Sequence, residues 1–212
     1  MSIHQDRPFN TRYVIWNTVN AYGEDMRSTH RTAKCSYWYI NRMHGIDEVG
    51  PTPNYAARQD LVDRGRCGPS RANDPALQGI KLWEMMDQVA KIYRPTEATL
   101  AHCVASLPIH ETAATWREIV EGFCDDHLST QGMITDWAIH AQSESEGKRE
   151  ILPHVHMLIT TRVYDRTHAD FGRRRQNWLR TSNACKSLAD KWYPLVDLYP
   201  GAMGVPLRKL AA

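Results

Sequence analysis

The segment His154-Val155-His156-Met157-Leu158-Ile159-Thr160-Thr161-Arg162 constrains this chain more than any other. It is rich in β-branched and apolar residues and reads as a strand over His154–Arg162. Side chains alternate along a strand, so His154 and His156 face one way with Leu158 and Thr160, and Val155, Met157 and Ile159 face the other. A second strand is expected over Met133–His140, and it also ends on a histidine. Residues 141–153 (AQSESEGKREILP) are polar and charged, as a connecting loop would be. If the two strands pair antiparallel, His140, His154 and His156 converge at one edge of the sheet. Three neutral imidazoles suit a divalent transition ion and leave coordination positions for a substrate, whereas a closed structural zinc site would take a fourth protein ligand. Any one of these histidines alone would be an ordinary strand residue; the pattern of all three points to a metal.

The remaining elements surround this pair. Tyr13–Val19 reads as a buried strand. Thr32–Arg42 reads as a helix with Thr32 as its N-cap and Gly45 as its stop, and it carries Tyr37, Trp38 and Tyr39. Gly50–Gly79 holds most of the turn chemistry (GPTP, DRGRCGPS, ANDP) and is expected to be a long loop with at most one short helix. Leu82–Tyr93 is a helix stopped by Pro95, and Thr99–Leu107 a strand ending at Pro108. Thr112–Leu128 is the clearest helix, with Trp116, Ile119, Val120 and Phe123 on one stripe and Gly132 just beyond it. Arg175–Trp192 is a final amphipathic helix, with Trp178, Leu179, Leu188 and Trp192 apolar. This order implies an α+β fold, an antiparallel sheet with packed helices.

Bulk properties exclude several classes. The 212 residues fit a single domain spanning 1–212. No segment approaches the roughly 18 unbroken apolar residues of a membrane helix, and MSIHQDRPFN lacks the apolar stretch of a signal peptide, so a cytoplasmic protein without membrane insertion is expected. The five cysteines, at 35, 67, 103, 124 and 185, form no C-x-x-C pair, which argues against a disulfide framework or a cysteine zinc site. The net charge of +2 neither announces nor excludes a nucleic-acid partner. Arg173-Arg174-Arg175 is the densest basic run and reads either as a solvated surface or as a phosphate contact.

Histidine–hydrophobic–histidine on a strand marks a group of nucleases that use a metal ion to polarise a scissile phosphate and a tyrosine to attack it. The chain resembles the MobA/MobL relaxases, plasmid mobilisation proteins of the HUH endonuclease superfamily. Gly132-Met133-Ile134-Thr135-Asp136-Trp137-Ala138-Ile139-His140 is similar to the family's G-M-x-x-x-x-A-I-H. Pro153–Arg162 is similar to its N-P-H-x-H-x-x-x-T-x-R, and Ser106-Leu107-Pro108 with the following helix to its A-L-P. Thr32-Ala33, followed after five residues by Tyr39-Ile40-Asn41-Arg42, is similar to the helix that bears the nucleophile. The resemblance implies a ferredoxin-like, relaxase-type sheet, His140, His154 and His156 as metal ligands, and Tyr39 as the nucleophile, with Tyr37 as the alternative. His102 stands where the family commonly has a glutamate, and it is either a general base or orienter in that glutamate's place or a structural strand residue. Leu152 replaces a common asparagine, and the loop after His140 is long for the family.

The resemblance also implies a cofactor and partners. The ion is a divalent metal, manganese or magnesium in the first place, with zinc, cobalt or nickel also compatible with imidazole ligands. The DNA partner is single-stranded, at a plasmid origin of transfer, held by phosphate contacts for which Arg162, Arg173, Arg174 and Arg175 are candidates. Accessory mobilisation proteins and a coupling protein are further expected partners, and no helicase or primase region is expected within these 212 residues. The rival readings are a rolling-circle replication initiator or transposase using Tyr193 or Tyr199, and a catalytically degenerate DNA-binding member.

Overall fold

The computed structural model describes residues 9–15, 31–48, 50–93, 98–143, 150–172, 176 and 182–198. Its centre is a five-stranded sheet in the order β1-β5-β7-β6-β4, in which every neighbouring pair is antiparallel. The strands are β1 (Phe9–Ile15), β4 (Leu61–Cys67), β5 (Ala98–Ser106), β6 (Thr135–Gln142) and β7 (Ile151–Thr160). Two small hairpins stand apart from it, β2 (Ile46–Asp47) with β3 (Gly50–Pro51) and β8 (Tyr164–Asp165) with β9 (Asp170–Phe171). The helices are α1 (Ala33–Ile40), α2 (Lys81–Tyr93), α3 (Ala113–His127) and α4 (Ser182–Asp197).

Both faces of the sheet are covered. Ala101, Cys103, Trp137, Ile139, Val155, Met157 and Ile159 form one core with Trp116, Val120 and Phe123 of α3 and Leu188, Trp192 and Val196 of α4. On the other face Leu100, Ile134, Ala138 and Leu158 meet Ala33 and Ile40 of α1 and Leu82, Trp83, Met86 and Val89 of α2. This double cover explains why β7 is buried along nearly its whole length although the sheet is antiparallel. No helix of the described residues is long and apolar enough to cross a membrane.

The long loop expected over Gly50–Gly79 is corrected: β3, the edge strand β4 and three short 3-10 turns fall within it. β4 reads Leu-Val-Asp-Arg-Gly-Arg-Cys, and its charges mask the strand pattern. An edge strand tolerates such charges, which also discourage pairing with other chains. Of the expected Tyr13–Val19 strand, Tyr13–Ile15 belong to β1, and residues 16–19 lie outside the described residues. β7 begins at Ile151, so the histidines sit within the strand rather than at its first residue. Helix α4 is described from Ser182, and it continues past Trp192 with Pro194 inside it. Trp178 and Leu179 lie outside the described residues. Gly132 has φ of +82°, the left-handed conformation that glycine adopts without steric cost, and it ends the 3-10 turn after α3.

Helix α1 is pinned at its N-terminus. The Thr32 side chain accepts from the Cys35 N–H and donates to Asp47, which also takes a two-pronged salt bridge from Arg31. From α2, the fully enclosed Asp87 carboxylate accepts the N–H groups of Ala33 at 2.8 Å and Lys34 at 3.1 Å, a cap supplied by tertiary structure. Burial pushes the Asp87 carboxyl up to about 7 despite these donors. We expect Asp87→Ala to lower stability by about 1–3 kcal/mol, because two buried donors lose their acceptor. A urea titration at pH 8 would read this as a lower midpoint with an unchanged slope.

Candidate metal centre

The register of β6 on β7 sets His140 directly opposite His154 and Ala138 opposite His156. Opposed residues of an antiparallel pair lie about 4.5–5.5 Å apart at Cβ, close enough for imidazoles to share an ion. The register of β6 shifts between His140 and Gln142, a bulge immediately beside the site. The ring centroids are 5.5 Å apart for His140 and His154, 4.7 Å for His140 and His156, and 5.0 Å for His154 and His156. One nitrogen from each ring lies within 4.8 Å of the others, and all three residues are buried.

The hydrogen bonds of the rings test whether this site fits an ion. His154 Nδ1–H donates to the Leu152 carbonyl at 2.8 Å, which leaves Nε2 as the nitrogen that can ligate. Nε2 of His156 is buried without any hydrogen-bond partner, although its Nδ1 lies 2.9 Å from Nε2 of His102. An orphaned buried nitrogen is costly unless something coordinates it. His140 differs: its Nε2–H donates to the Ile40 carbonyl at 2.7 Å and its Nδ1 accepts from Arg42 at 2.8 Å. A ligating His140 exchanges one of these bonds for the ion, since imidazole has only two nitrogens. The donor set therefore fits a metal, with His140 the ligand most tied to the protein.

Electrostatics agree. Burial, reinforced by the neighbouring Arg42 charge, drives the His140 pKa down to about 3, and burial holds His156 well below the ordinary range. His102 is also driven to about 3, by burial and then by the charge of Arg12. Neutral imidazole is the form that binds metal.

Helix α1 delivers Tyr39 to this centre. Its ring stands edge-on to His156 at 5.4 Å and edge-on to Tyr55 at 5.3 Å, with the guanidiniums of Arg42 and Arg58 at 4.9 and 5.6 Å from the ring centre. Tyr37, two residues earlier, lines a separate cavity with Arg64, Arg66 and Asp136. Burial and then the Asp136 charge raise the Tyr37 phenol, which works against its use as a nucleophile. Tyr193 packs with α4 against the core on the opposite face of the sheet from the histidines. Tyr199 lies outside the described residues.

Arg42 and Asp60 belong to the site although the histidine motif does not reveal them. Arg42 adopts a left-handed backbone, φ +53°, and its guanidinium grips Asp60 through two bonds of 2.6 and 2.7 Å while touching His140. Strained backbone of this kind persists only where its surroundings over-determine it. Burial would raise the Asp60 carboxyl, but the Arg42 hydrogen bonds and charge hold it below its usual value. Arg42 closes the Tyr-Ile-Asn-Arg tail of the tyrosine motif; for Asp60 the sequence carries no signal, because its partners come from other elements. Two candidates from the sequence sit in enclosed settings. His102 is enclosed and bonded to His156, which suits an orienting group rather than a base open to substrate. Arg162 is buried, donates to the Gly172 carbonyl at 3.0 Å and lies over the Tyr93 ring at 4.7 Å, so it is not placed to meet DNA phosphate. Arg173, Arg174 and Arg175 lie outside the described residues.

The buried histidines tie stability to pH. An unfolded histidine takes up its proton near pH 6.5, whereas His102 and His140 resist it until about pH 3. Below about pH 6.5 the unfolded chain binds more protons, so stability falls as pH drops and is level above about pH 7. Each such group contributes up to about 1.4 kcal/mol per pH unit in that window. Metal-free protein titrated with urea at pH 7.5 and pH 5.5 should show the lower midpoint at pH 5.5; equal midpoints would contradict the burial of the neutral rings.

Residues 27–192 match the MobA/MobL family. No curated protein sequence matches the chain. Among solved structures, one described as "Molecular Basis of Vancomycin Resistance Transfer in Staphylococcus aureus" superposes with a TM-score of 0.69 at 19% identity, covering 96% of this chain and 93% of that one. At that identity the likeness is one of fold. With more than half its length matched and the family's histidine segments on adjacent strands, the chain belongs to the MobA/MobL family.

Proposed function

We propose that this chain is a metal-dependent relaxase that nicks single-stranded DNA at an origin of transfer and rejoins it. The observation that carries the reading is the Tyr39 ring packed edge-on against His156, inside the cluster of three buried histidines. His140, His154 and His156 hold the divalent ion, manganese or magnesium in the first place. When bound, it supplies Lewis-acid stabilisation of the charge on the phosphoryl oxygens. Tyr39 is the nucleophile: its Oη forms a bond to phosphorus as the P–O3′ bond breaks, its phenolic proton passes to solvent, and the departing 3′-oxygen takes a proton from solvent to leave as a hydroxyl. The 5′-phosphotyrosine conserves the ester, so a returning 3′-hydroxyl can reverse the step. Arg58, exposed beside the Tyr39 ring, offers its charge to the DNA backbone, whereas the Arg42 charge is taken up by Asp60.

His102 acts through His156. A ligating His156 Nε2 must be unprotonated, so Nδ1–H donates to His102 Nε2 and fixes the tautomer. The carboxylate common in the family is thereby replaced by a neutral acceptor. A replication initiator or transposase using Tyr193 is disfavoured because that residue packs on the far face of the sheet.

Incubation with manganese and single-stranded DNA from the mobile element's origin region should give a covalent adduct, absent with EDTA, lost in Tyr39→Phe and retained in Tyr193→Phe. Fragmentation of the tryptic peptide 35–42 should place the nucleotide on residue 39; an adduct that survives Tyr39→Phe would refute the assignment. His102→Ala should weaken manganese binding by about 10–100-fold in calorimetry, with much of the loss recovered in His102→Glu. Equal affinities for His102 and His102→Ala would remove His102 from the metal's support.

A further inference from the structure

We propose that the cavity between α1, the edge strand β4 and the 3-10 turns that follow it is a pocket for one unpaired nucleotide of the DNA strand. The proposal rests on the relaxase reading, because it requires single-stranded DNA to run along this face. The cavity is about 390 Å³ and is lined by Tyr37, Asn41, Arg64, Asn73, Gln78 and Asp136 among others. That volume falls at the lower end of the range of about 300–1,000 Å³ typical of small-ligand sites.

Its position follows from the sheet. Arg64 pairs with Ala138 and Arg66 with Asp136, and Ala138 in turn pairs with His156. Asp136, Ala138 and His140 share a face by alternation. The cavity therefore opens on the face that carries the histidines, about 13 Å along β6 from His140 at roughly 3.4 Å per residue. A short stretch of strand beginning at the scissile phosphate reaches it.

The lining divides into a fixed wall and adaptable groups. Arg66 is locked to Asp136 and donates to the Leu77 carbonyl, while Trp83 donates to the same carboxylate at 2.7 Å. That charge pair is internally satisfied. Arg64 is exposed, with a long 3.4 Å contact to Asn41, so its charge remains available to a phosphate. Asn73 and Gln78 are exposed amides that offer both donors and acceptors, as the edge of a base requires. Tyr37 supplies a half-buried aromatic surface for stacking, which every base can use. A stacking ring, neutral hydrogen-bonding amides and one available cation match a nucleotide better than a free anion or an apolar ligand. This assigns Tyr37 a binding role distinct from the chemistry of Tyr39.

The test uses the 212-residue chain carrying Tyr39→Phe, which cannot form the adduct, and fluorescence anisotropy with dT12, dA12 and a 12-unit abasic phosphodiester. The parent should bind the base-bearing oligomers at least about tenfold more tightly than the abasic one. Tyr37→Leu, and separately Asn73→Ala with Gln78→Ala, should shrink that ratio with the abasic affinity unchanged, while Arg64→Ala should weaken all probes alike. Because Asn73 and Gln78 are exposed, their loss leaves the fold intact, which circular dichroism would verify. A ratio unchanged in both sets of variants would overturn the proposal. Failure of the relaxase reading is a separate result, the absence of a covalent adduct in protein that retains Tyr39.

Discussion

The antiparallel register that sets His140 against His154 is the constraint on which the rest of this molecule depends. A slip of one residue would turn His154 and His156 into the apolar core beneath α3 and α4 and bring Val155 and Met157 to the other face. The register is held because β7 is buried on both faces, so neither set of side chains can be exchanged for the other without burying imidazoles in hydrocarbon. The core thereby fixes the site more firmly than any contact among the histidines.

The second requirement is to bring a helix down onto that cluster. Packing alone would let α1 slide along its axis. Its N-terminus is held by Asp87 and Asp47, and its C-terminal end by the Arg42–Asp60 pair and the Ile40 carbonyl's bond from His140. Two of these clamps, Arg31–Asp47 and Arg42–Asp60, are buried ion pairs, whose desolvation offsets much of their attraction. They add little net stability and much positional definition: breaking one partner leaves a charge stranded, so alternative placements of α1 are penalised. Tyr39 inherits its position beside His156 from these clamps.

Much of the site was legible because periodicity survives in sequence. Alternation paired His154 with His156 and a strand end supplied His140, while the resemblance of Thr32-Ala33 and the Tyr-Ile-Asn-Arg tail to the family implied which helix bears the tyrosine. The failures share a cause. β4 is hidden because an edge strand carries charges that read as turn chemistry, and Arg162 reads as a candidate phosphate contact because it closes the histidine motif, whereas its guanidinium is enclosed against Tyr93 and the Gly172 carbonyl. Asp60 left no trace, since its meaning depends on Arg42 and on Ala141, whose N–H reaches the Asp60 carbonyl at 2.8 Å.

By itself the sequence determined which residue types could meet an ion, that two histidines share a strand face, and that Tyr37 and Tyr39 stand on one helix. Those follow from local repeat geometry, which needs no partner. Only the tertiary structure decided which tyrosine reaches the histidines, that His102 bonds to His156, and that Tyr193 lies across the sheet. Such choices depend on how α1, β5 and α4 pack against β6 and β7, and packing is a property of contacts distant in the chain.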